Sequence, residues 1–167
     1  MPSETSPRTI TVGVGGIVAR GDGLLVVRKT YGPWKGLWTI PSGYVEASES
    51  VVECLGREVL EETGVVARPE VLVAVRNMIS TRANDTFLVF TMSYISGQPR
   101  PDGSEVSEAA FVPGSELAVS SDAAPFTRAI VTRPVGGSGL ALHPYRPPDD
   151  RLAHEAYLLY MGPGKVQ

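Results

Sequence analysis

The sequence predicts an α/β layer fold, with helices packed on a mixed sheet, and three observations predict it. β-branched, alternating runs recur along the chain at Thr9–Arg20, Leu24–Lys29 and Thr86–Ser96. Between the early and late runs lies one long amphipathic helical pattern with its own start and stop signals. More strands and a second, shorter helical pattern follow. The chain of 167 residues, 43% hydrophobic and 20% charged, is one ordinary globular domain, long enough to fold without disulfides.

Residues 1–8 are polar, with Pro2 and Pro7, and read as a flexible lead. The turn Gly21-Asp22-Gly23 joins the first two strands into a hairpin. Gly13, Gly15 and Gly16 look like a phosphate loop only out of context. They lie inside a strand with no helix or Lys-Ser/Thr behind them, so close backbone approach is the expected role. A loop rich in glycine and aromatics surrounds a short strand at Leu37–Ile40. A helix follows at Val51–Thr63. Ser50 with Glu53 forms a capping box, Ser48 is a second candidate N-cap, and Gly64 is the stop. Val65–Ser80 holds a strand or two around Pro69. Residues 81–85 connect it to Thr86–Ser96, residues 97–104 form a loop, and Glu105–Val112 is a further strand. A second helix is expected from Asp122 to Thr132, with Pro134 as its stop. Residues 134–167 hold five of the 14 prolines and five of the 18 glycines. That stretch is expected to be an irregular tail packed on the same domain, with one short helix near Arg151–Tyr160.

Composition excludes several classes of function. Lys+Arg is 15 against 18 for Asp+Glu, a net charge of −3, which argues against a dedicated nucleic-acid binder. One cysteine, Cys54, excludes an internal disulfide framework and a four-cysteine zinc site, and its place beside the helix's apolar face makes it a buried small hydrophobe. No apolar run approaches membrane-spanning length and the first residues lack a signal-peptide core, so the expected setting is cytoplasmic, with no membrane partner. The acids are unevenly placed: Glu46, Glu49, Glu53, Glu58, Glu61 and Glu62, six of the 18, fall within residues 46–62.

Spacings of three and four residues put Glu58, Glu61 and Glu62 on one side of the helix, where like charges repel and the macrodipole disfavours acids in the last turn. Glu62 lies near the apolar stripe Val51-Val52-Leu55-Val59 and Glu58 just beside it, at a partly desolvated boundary. Several anions there call for a cation. Oxygen ligands without Cys or His point to Mg²⁺, with Mn²⁺ the alternative. A plain solvated acidic face stitched by Arg57 to Glu53 or Glu61 is the competing reading of the helix alone.

The loop before the helix changes that balance. Gly43, five residues, Glu49, seven residues, then Arg57-Glu58-Val59-Leu60-Glu61-Glu62-Thr63-Gly64-Val65 matches the Nudix box at every defined position. The chain therefore resembles the Nudix hydrolase family over residues 9–133, and the tail 134–167 lies outside the resemblance. The Trp38-Thr39-Ile40-Pro41 approach and the downstream strand with Glu105 are also similar to the family.

The resemblance implies a Nudix-type α/β/α sandwich with a central mixed β-sheet. It implies a Mg²⁺-dependent pyrophosphohydrolase that cleaves a nucleoside diphosphate linked to another moiety by water attack on phosphorus. Glu58 and Glu62 would be the principal metal ligands, with Glu61 as a ligand or water-orienting group and the backbone carbonyl of Ser42 completing the set. Many members have glycine where Ser42 stands, a change a carbonyl ligand tolerates. Arg57 would hold the cluster's geometry, and Glu49 would sit near it. Family members differ in their general base. A box glutamate and the downstream Glu105 are the candidates, with Glu108 weaker.

The other half of the substrate leaves a fainter trace. Tyr31, Trp34 and Lys35 form a polar-aromatic loop able to stack a base and touch phosphate, while Trp38 reads as core. Arg28, Lys29 and Arg76 are phosphate contacts or solvated strand positions. Sequence tags of NADH-type, coenzyme A-type and ADP-ribose-type members are missing, and His143 and His154 fall in the tail as surface residues. A catalytically silent Nudix domain serving as a nucleotide sensor is the alternative function. Such domains usually lose box glutamates or carry a DNA-binding module, whereas this chain keeps every box glutamate. The expected partner is a small nucleotide, with homodimerisation through the N-terminal strands or the tail as the candidate assembly.

Overall fold

The computed structural model of the chain describes residues 9–80, 83–131, 139–143 and 159–161. Among the described residues nine strands form one sheet: β1 (Thr9–Arg20), β2 (Gly23–Lys29), β3 (Trp38–Thr39), β4 (Ser42–Tyr44), β5 (Val66–Ile79), β6 (Ala83–Ser96), β7 (Val106–Pro113), β8 (Leu140–His143) and β9 (Leu159–Met161). The helices among the described residues are α1 (Val51–Thr63), α2 (Gly114–Val119) and α3 (Pro125–Val131). The order across the sheet is β3-β2-β1-β6-β5-β8-β9, with β4 also paired to β1 and β7 to β2. β1 and β6 run parallel while the other strand pairs are antiparallel, so the sheet is mixed.

Alternation along the strands splits the core into two layers. Val14, Val18, Leu25, Phe90 and Met92 meet Cys54, Leu55 and Val59 of α1 on one face. Ile17, Leu24, Val26, Ile40 and Val89 meet Leu117, Ala123, Ile130 and Val131 of the α2–α3 region on the other. The result is the α/β/α sandwich. Glycines set its tightest approach: a Cβ on Gly16 would press on Met92, Val59 and Leu55, and one on Gly15 would meet Ile40 and Phe87.

α1 forms where its signals place it. The Ser50 hydroxyl accepts from the Glu53 backbone N–H, and the Glu53 carboxylate accepts from the Ser50 N–H at 2.8 Å. Gly64 closes the helix in the left-handed region with φ 69°, its N–H donating to the Leu60 carbonyl. β5 is one strand with irregular register on either side of Glu70. That accommodates Pro69, which has no N–H to give.

Two expectations need correction, and one element is new. α3 starts at Pro125 and not at Asp122, because Asp122–Ala124 is drawn into a bridge with Trp38: the Trp38 N–H donates to the Asp122 carbonyl at 2.7 Å, and the Ala124 N–H to the Trp38 carbonyl at 3.0 Å. Gly114–Val119, a stretch with no start or period signal in the sequence, forms the further short helix α2. In the stretch expected to be an irregular tail, β8 pairs with β5 at Val71↔Ala141 and Leu72↔Leu140, and β9 pairs with β8. Leu159 and Tyr160 are thus strand, not the end of a helix. The polar lead 1–8, the Pro134 stop, His154 and the rest of the helix expected near Arg151–Tyr160 lie outside the described residues. Among the described residues no helix is long and apolar enough to cross a membrane.

Candidate active site

β4 joins β1 through Gly13↔Tyr44, Val14↔Gly43 and Gly15↔Ser42, which lays Ser42 and Gly43 alongside the last two turns of α1. The close fit is chemical as well as steric. A Cβ on Gly43 would overlap the carboxyl carbon and both oxygens of Glu58, so only glycine lets that carboxylate rest against the strand. One turn further along α1, Glu62 is only 3% exposed. Its Oε2 accepts the Ser42 N–H at 2.9 Å, and its Oε1 lies 3.0 Å from the Lys29 ammonium.

An isolated buried carboxylate would cost several kcal/mol, so Glu62 needs that cation. Lys29 is in phase with Leu25 and Val27 on β2, which carries its side chain to the α1 side of the sheet. There its Nζ donates to the Ser42 carbonyl at 2.6 Å and reaches the Ser42 hydroxyl at 3.2 Å. Burial raises the pKa of Glu62, opposed by Lys29 and the Ser42 N–H. Burial alone would lower that of Lys29, but the negative charge of Glu62 beside it, helped by Tyr31 and Glu58, holds it above its ordinary value.

Arg57 organises the remaining box acids. It grips Glu49 with two nitrogens, Nε to Oε2 at 3.0 Å and Nη2 to Oε1 at 2.6 Å. Its Nη1 reaches Glu58 at 2.7 Å and Glu61 at 3.2 Å. The bonds from Arg57 hold the Glu49 carboxyl down at about 2, and Glu49 in turn raises the Arg57 pKa. Glu61 is the outlying member, with its side chain 59% exposed. Cys54 lies beneath this group, its thiol donating to the Tyr44 carbonyl at 3.3 Å. Burial first, and the neighbouring Glu49 next, push that thiol up to about 12.

Glu105 is brought in from the other side. β2 and β7 pair along Gly23–Lys29, and the Thr30 N–H donates to the Glu105 carbonyl at 2.8 Å. The Tyr31 hydroxyl then donates to the Glu105 carboxylate at 3.2 Å, while the Lys29 Nζ lies 5.8 Å from the Tyr31 ring centroid. Asp102 holds the turn by accepting from the backbone N–H groups of Ser104, Glu105 and Val106. Tyr31, Lys29 and Glu62 thus form a continuous path from Glu105 to the helix. Burial leads the causes that raise the Tyr31 hydroxyl pKa.

Other candidate residues stand apart. Trp34 and Lys35 are exposed in the turn, Trp34 at 46%, and among the described contacts neither side chain touches the cluster. Arg28 is occupied on the opposite side of β2: it donates to the Gly36 carbonyl, reaches Asp122 at 3.3 Å and stacks over Trp38 at 4.3 Å. Glu108 is engaged with this group too, 3.6 Å from the Arg28 Nε. Arg76 pairs with buried Asp85 and lies over Phe87 and Phe126, a second station on the α3 side. Sequence reasoning underrated Lys29. The available signal was its phase with Leu25 and Val27, which sends it toward the same layer as Glu62.

The donor set suits a hard divalent ion. Among the described residues no three Asp, Glu, His or Cys side chains converge on one point. The residues that could hold such an ion are Ser42, through its carbonyl oxygen, and Glu62 and Glu58, through their carboxylates, a small oxygen set of the kind Mg²⁺ accepts, with water and phosphate completing its shell. Glu62 Oε1 supports this assignment. It is buried and accepts no directed hydrogen bond, despite the nearby ammonium, so a lone pair stays available.

Comparison with known proteins gives the family and the fold. The NUDIX domain family model matches residues 9–133, and the chain belongs to the Nudix hydrolase family. It is 31% identical over 102 residues to an ADP-ribose pyrophosphatase of Methanocaldococcus jannaschii, covering 60% of this chain and 60% of that protein. An NAD-capped RNA hydrolase of Photobacterium profundum is 33% identical over 85 residues, covering 49% of this chain and 30% of the relative. The matches therefore span less than two thirds of these relatives' own lengths. A MutT Nudix hydrolase structure from Burkholderia pseudomallei superposes with a TM-score of 0.66 at 22% identity, over 75% of this chain and 98% of that one, a likeness of fold.

Proposed function

We propose that the chain is a divalent-metal-dependent pyrophosphohydrolase, using Mg²⁺ with Mn²⁺ as the alternative, that cleaves the diphosphate of a nucleoside diphosphate joined to another moiety. The observation that carries this reading is the buried Glu62 carboxylate, set beside the Ser42 carbonyl with one oxygen free of directed hydrogen bonds. Ser42, Glu58 and Glu62 would hold the ion. A divalent cation there supplies charge neutralisation for the diphosphate and for the leaving phosphate.

The chain's own residues do the remaining work. Gly43 gives Glu58 its place, and Arg57 fixes Glu58 and Glu61 while anchored on Glu49. Two carboxylates flank the buried pair: Glu61, held by Arg57, and Glu105, held by Tyr31. A water oriented by one of them passes its proton to that carboxylate, and the variants E61Q and E105Q assign which. The relatives support the substrate class. ADP-ribose and NAD, which appear in their names, share a nucleoside diphosphate core. The Nudix unit would be residues 9–133, acting in the cytoplasm on a small nucleotide, with 134–167 packed on the same body.

Glu62→Gln is expected to lower metal-dependent turnover at least about 100-fold while circular dichroism stays native-like. The assay is a screen over nucleoside triphosphates, ADP-ribose, NADH, dinucleoside polyphosphates and CDP-alcohols, with ¹⁸O-labelled water locating the phosphorus attacked. Wild-type-like turnover by E62Q would overturn the site. Nucleotide binding by the wild type without turnover of any substrate would favour the sensor reading instead.

A further inference from the structure

We propose that the Lys29 ammonium and the divalent ion compete for the same two oxygens, so that the ion enters only by expelling Lys29. The inference rests on the metal site just described and concerns what that site holds before the ion arrives. Lys29 Nζ is 2.6 Å from the Ser42 carbonyl oxygen and 3.0 Å from Glu62 Oε1. These are two of the oxygens assigned to the metal. The Ser42 N–H, donating to the other oxygen of Glu62 at 2.9 Å, keeps the carboxylate and the carbonyl in one fixed relation.

A magnesium ion bonds oxygen at about 2.1 Å. An ion bound to this carbonyl and this carboxylate would face the ammonium at close range in a buried setting, where like charges repel strongly. The two cations therefore exclude each other. Lys29 serves as a placeholder. It neutralises a carboxylate that burial would otherwise leave uncompensated, and it holds the ligands at the spacing the ion needs. Its contact with Glu62 Oε1 is one of charge without a directed hydrogen bond, which leaves that oxygen able to accept a stronger partner.

The expelled side chain has somewhere to go. Lys29 is on the last residue of β2, and the Tyr31 ring centroid is already 5.8 Å from its Nζ. Beyond the ring lies the Glu105 carboxylate, bonded to the Tyr31 hydroxyl at 3.2 Å. A swing of the flexible stem toward this exposed pair exchanges one carboxylate partner for another and moves the amine from a half-buried to an open position.

The test uses Mn²⁺ alone as the probe, on the full chelator-treated chain without nucleotide. Free Mn²⁺ is followed by electron paramagnetic resonance for the wild type, K29M, K29R and E62Q. K29M is expected to bind Mn²⁺ about tenfold more tightly than the wild type, the scale on which residues around a metal site tune affinity. K29R keeps a cation and is expected to gain nothing. The second readout needs no variant. The chain has three lysines, Lys29, Lys35 and Lys165, so reductive methylation with mass spectrometry resolves each one. Labelling of Lys29 is expected to rise when Mn²⁺ is added, with the exposed Lys35 as internal reference, and this decides the matter if K29M does not fold. Mn²⁺ binding that E62Q abolishes, but that neither K29M nor Lys29 labelling reflects, would overturn the placeholder and leave the metal site standing. Absence of Mn²⁺ binding in both the wild type and K29M would overturn both.

Discussion

Gly43 and Glu58 fit one another as a gap fits a plug: the space where a Cβ would stand on Gly43 is filled by the Glu58 carboxylate. No left-handed backbone conformation demands glycine here, since Gly43 is not among the residues with positive φ. The requirement is steric and points at one side chain.

G43A therefore separates site from fold. The obstructed group is the end of a flexible side chain, so the carboxylate moves and the backbone stays. Expected is a loss of at least about tenfold in metal-dependent turnover, of the size seen when a ligand's supporting contacts are removed, with a midpoint of unfolding within a few degrees of the wild type. A collapse in stability with turnover per folded molecule intact would contradict the steric account.

The Arg57–Glu49 fork has a pH signature. Glu49 has its carboxyl lowered from 4.5 to about 2, chiefly by the Arg57 bonds. A depressed carboxylate stabilises the fold fully above its unfolded value, and the contribution fades as pH falls through the folded one. The stability difference between the wild type and E49Q is expected to be constant from pH 7 to about 5 and to shrink steadily toward pH 2. Urea unfolding at pH 7, 4 and 2.5 measures it. A gap that widens in acid would refute the assignment.

Cys54 offers a probe of the layer beneath the site. Its thiol is buried on the sheet-facing side of α1 and pushed up to about 12, so little thiolate exists at neutral pH. Ellman's reagent is expected to react with the native chain only at the rate of unfolding and with the urea-unfolded chain at once. Rapid reaction of native protein would show that α1 opens more readily than its packing suggests.

Much of α1 was legible in the sequence because its determinants are local. Ser50, Glu53 and Gly64 act within a few residues of their partners, and helical spacing alone put Glu58 and Glu62 on one side. What escaped depends on strands meeting across long stretches of chain. The Tyr31–Glu105 bond needs β2 and β7 in register across 74 residues, and Lys29 reads as a solvated cation until β4 brings the Ser42 carbonyl to it. Arg28 was legible as a cation but not as the tether between Gly36, Asp122 and Trp38, since no local pattern announces that triangle. α2 is six residues with no side-chain cap, too short to leave a period. β8 exists by pairing with β5 and carries little strand pattern of its own.

The parallel pairing of β1 with β6 has a consequence for how the protein is made. Thr11 and Asp85, bonded across that pair at 2.6 Å, are separated by 74 residues. At about 5–20 residues per second, a ribosome adds that stretch in roughly 4–15 s, during which an apolar strand with an open edge waits for its neighbour. The interval is a window for chaperone capture or for pairing between nascent chains. A synonymous-codon change that slows synthesis between β2 and β6 lengthens it without altering a single side chain.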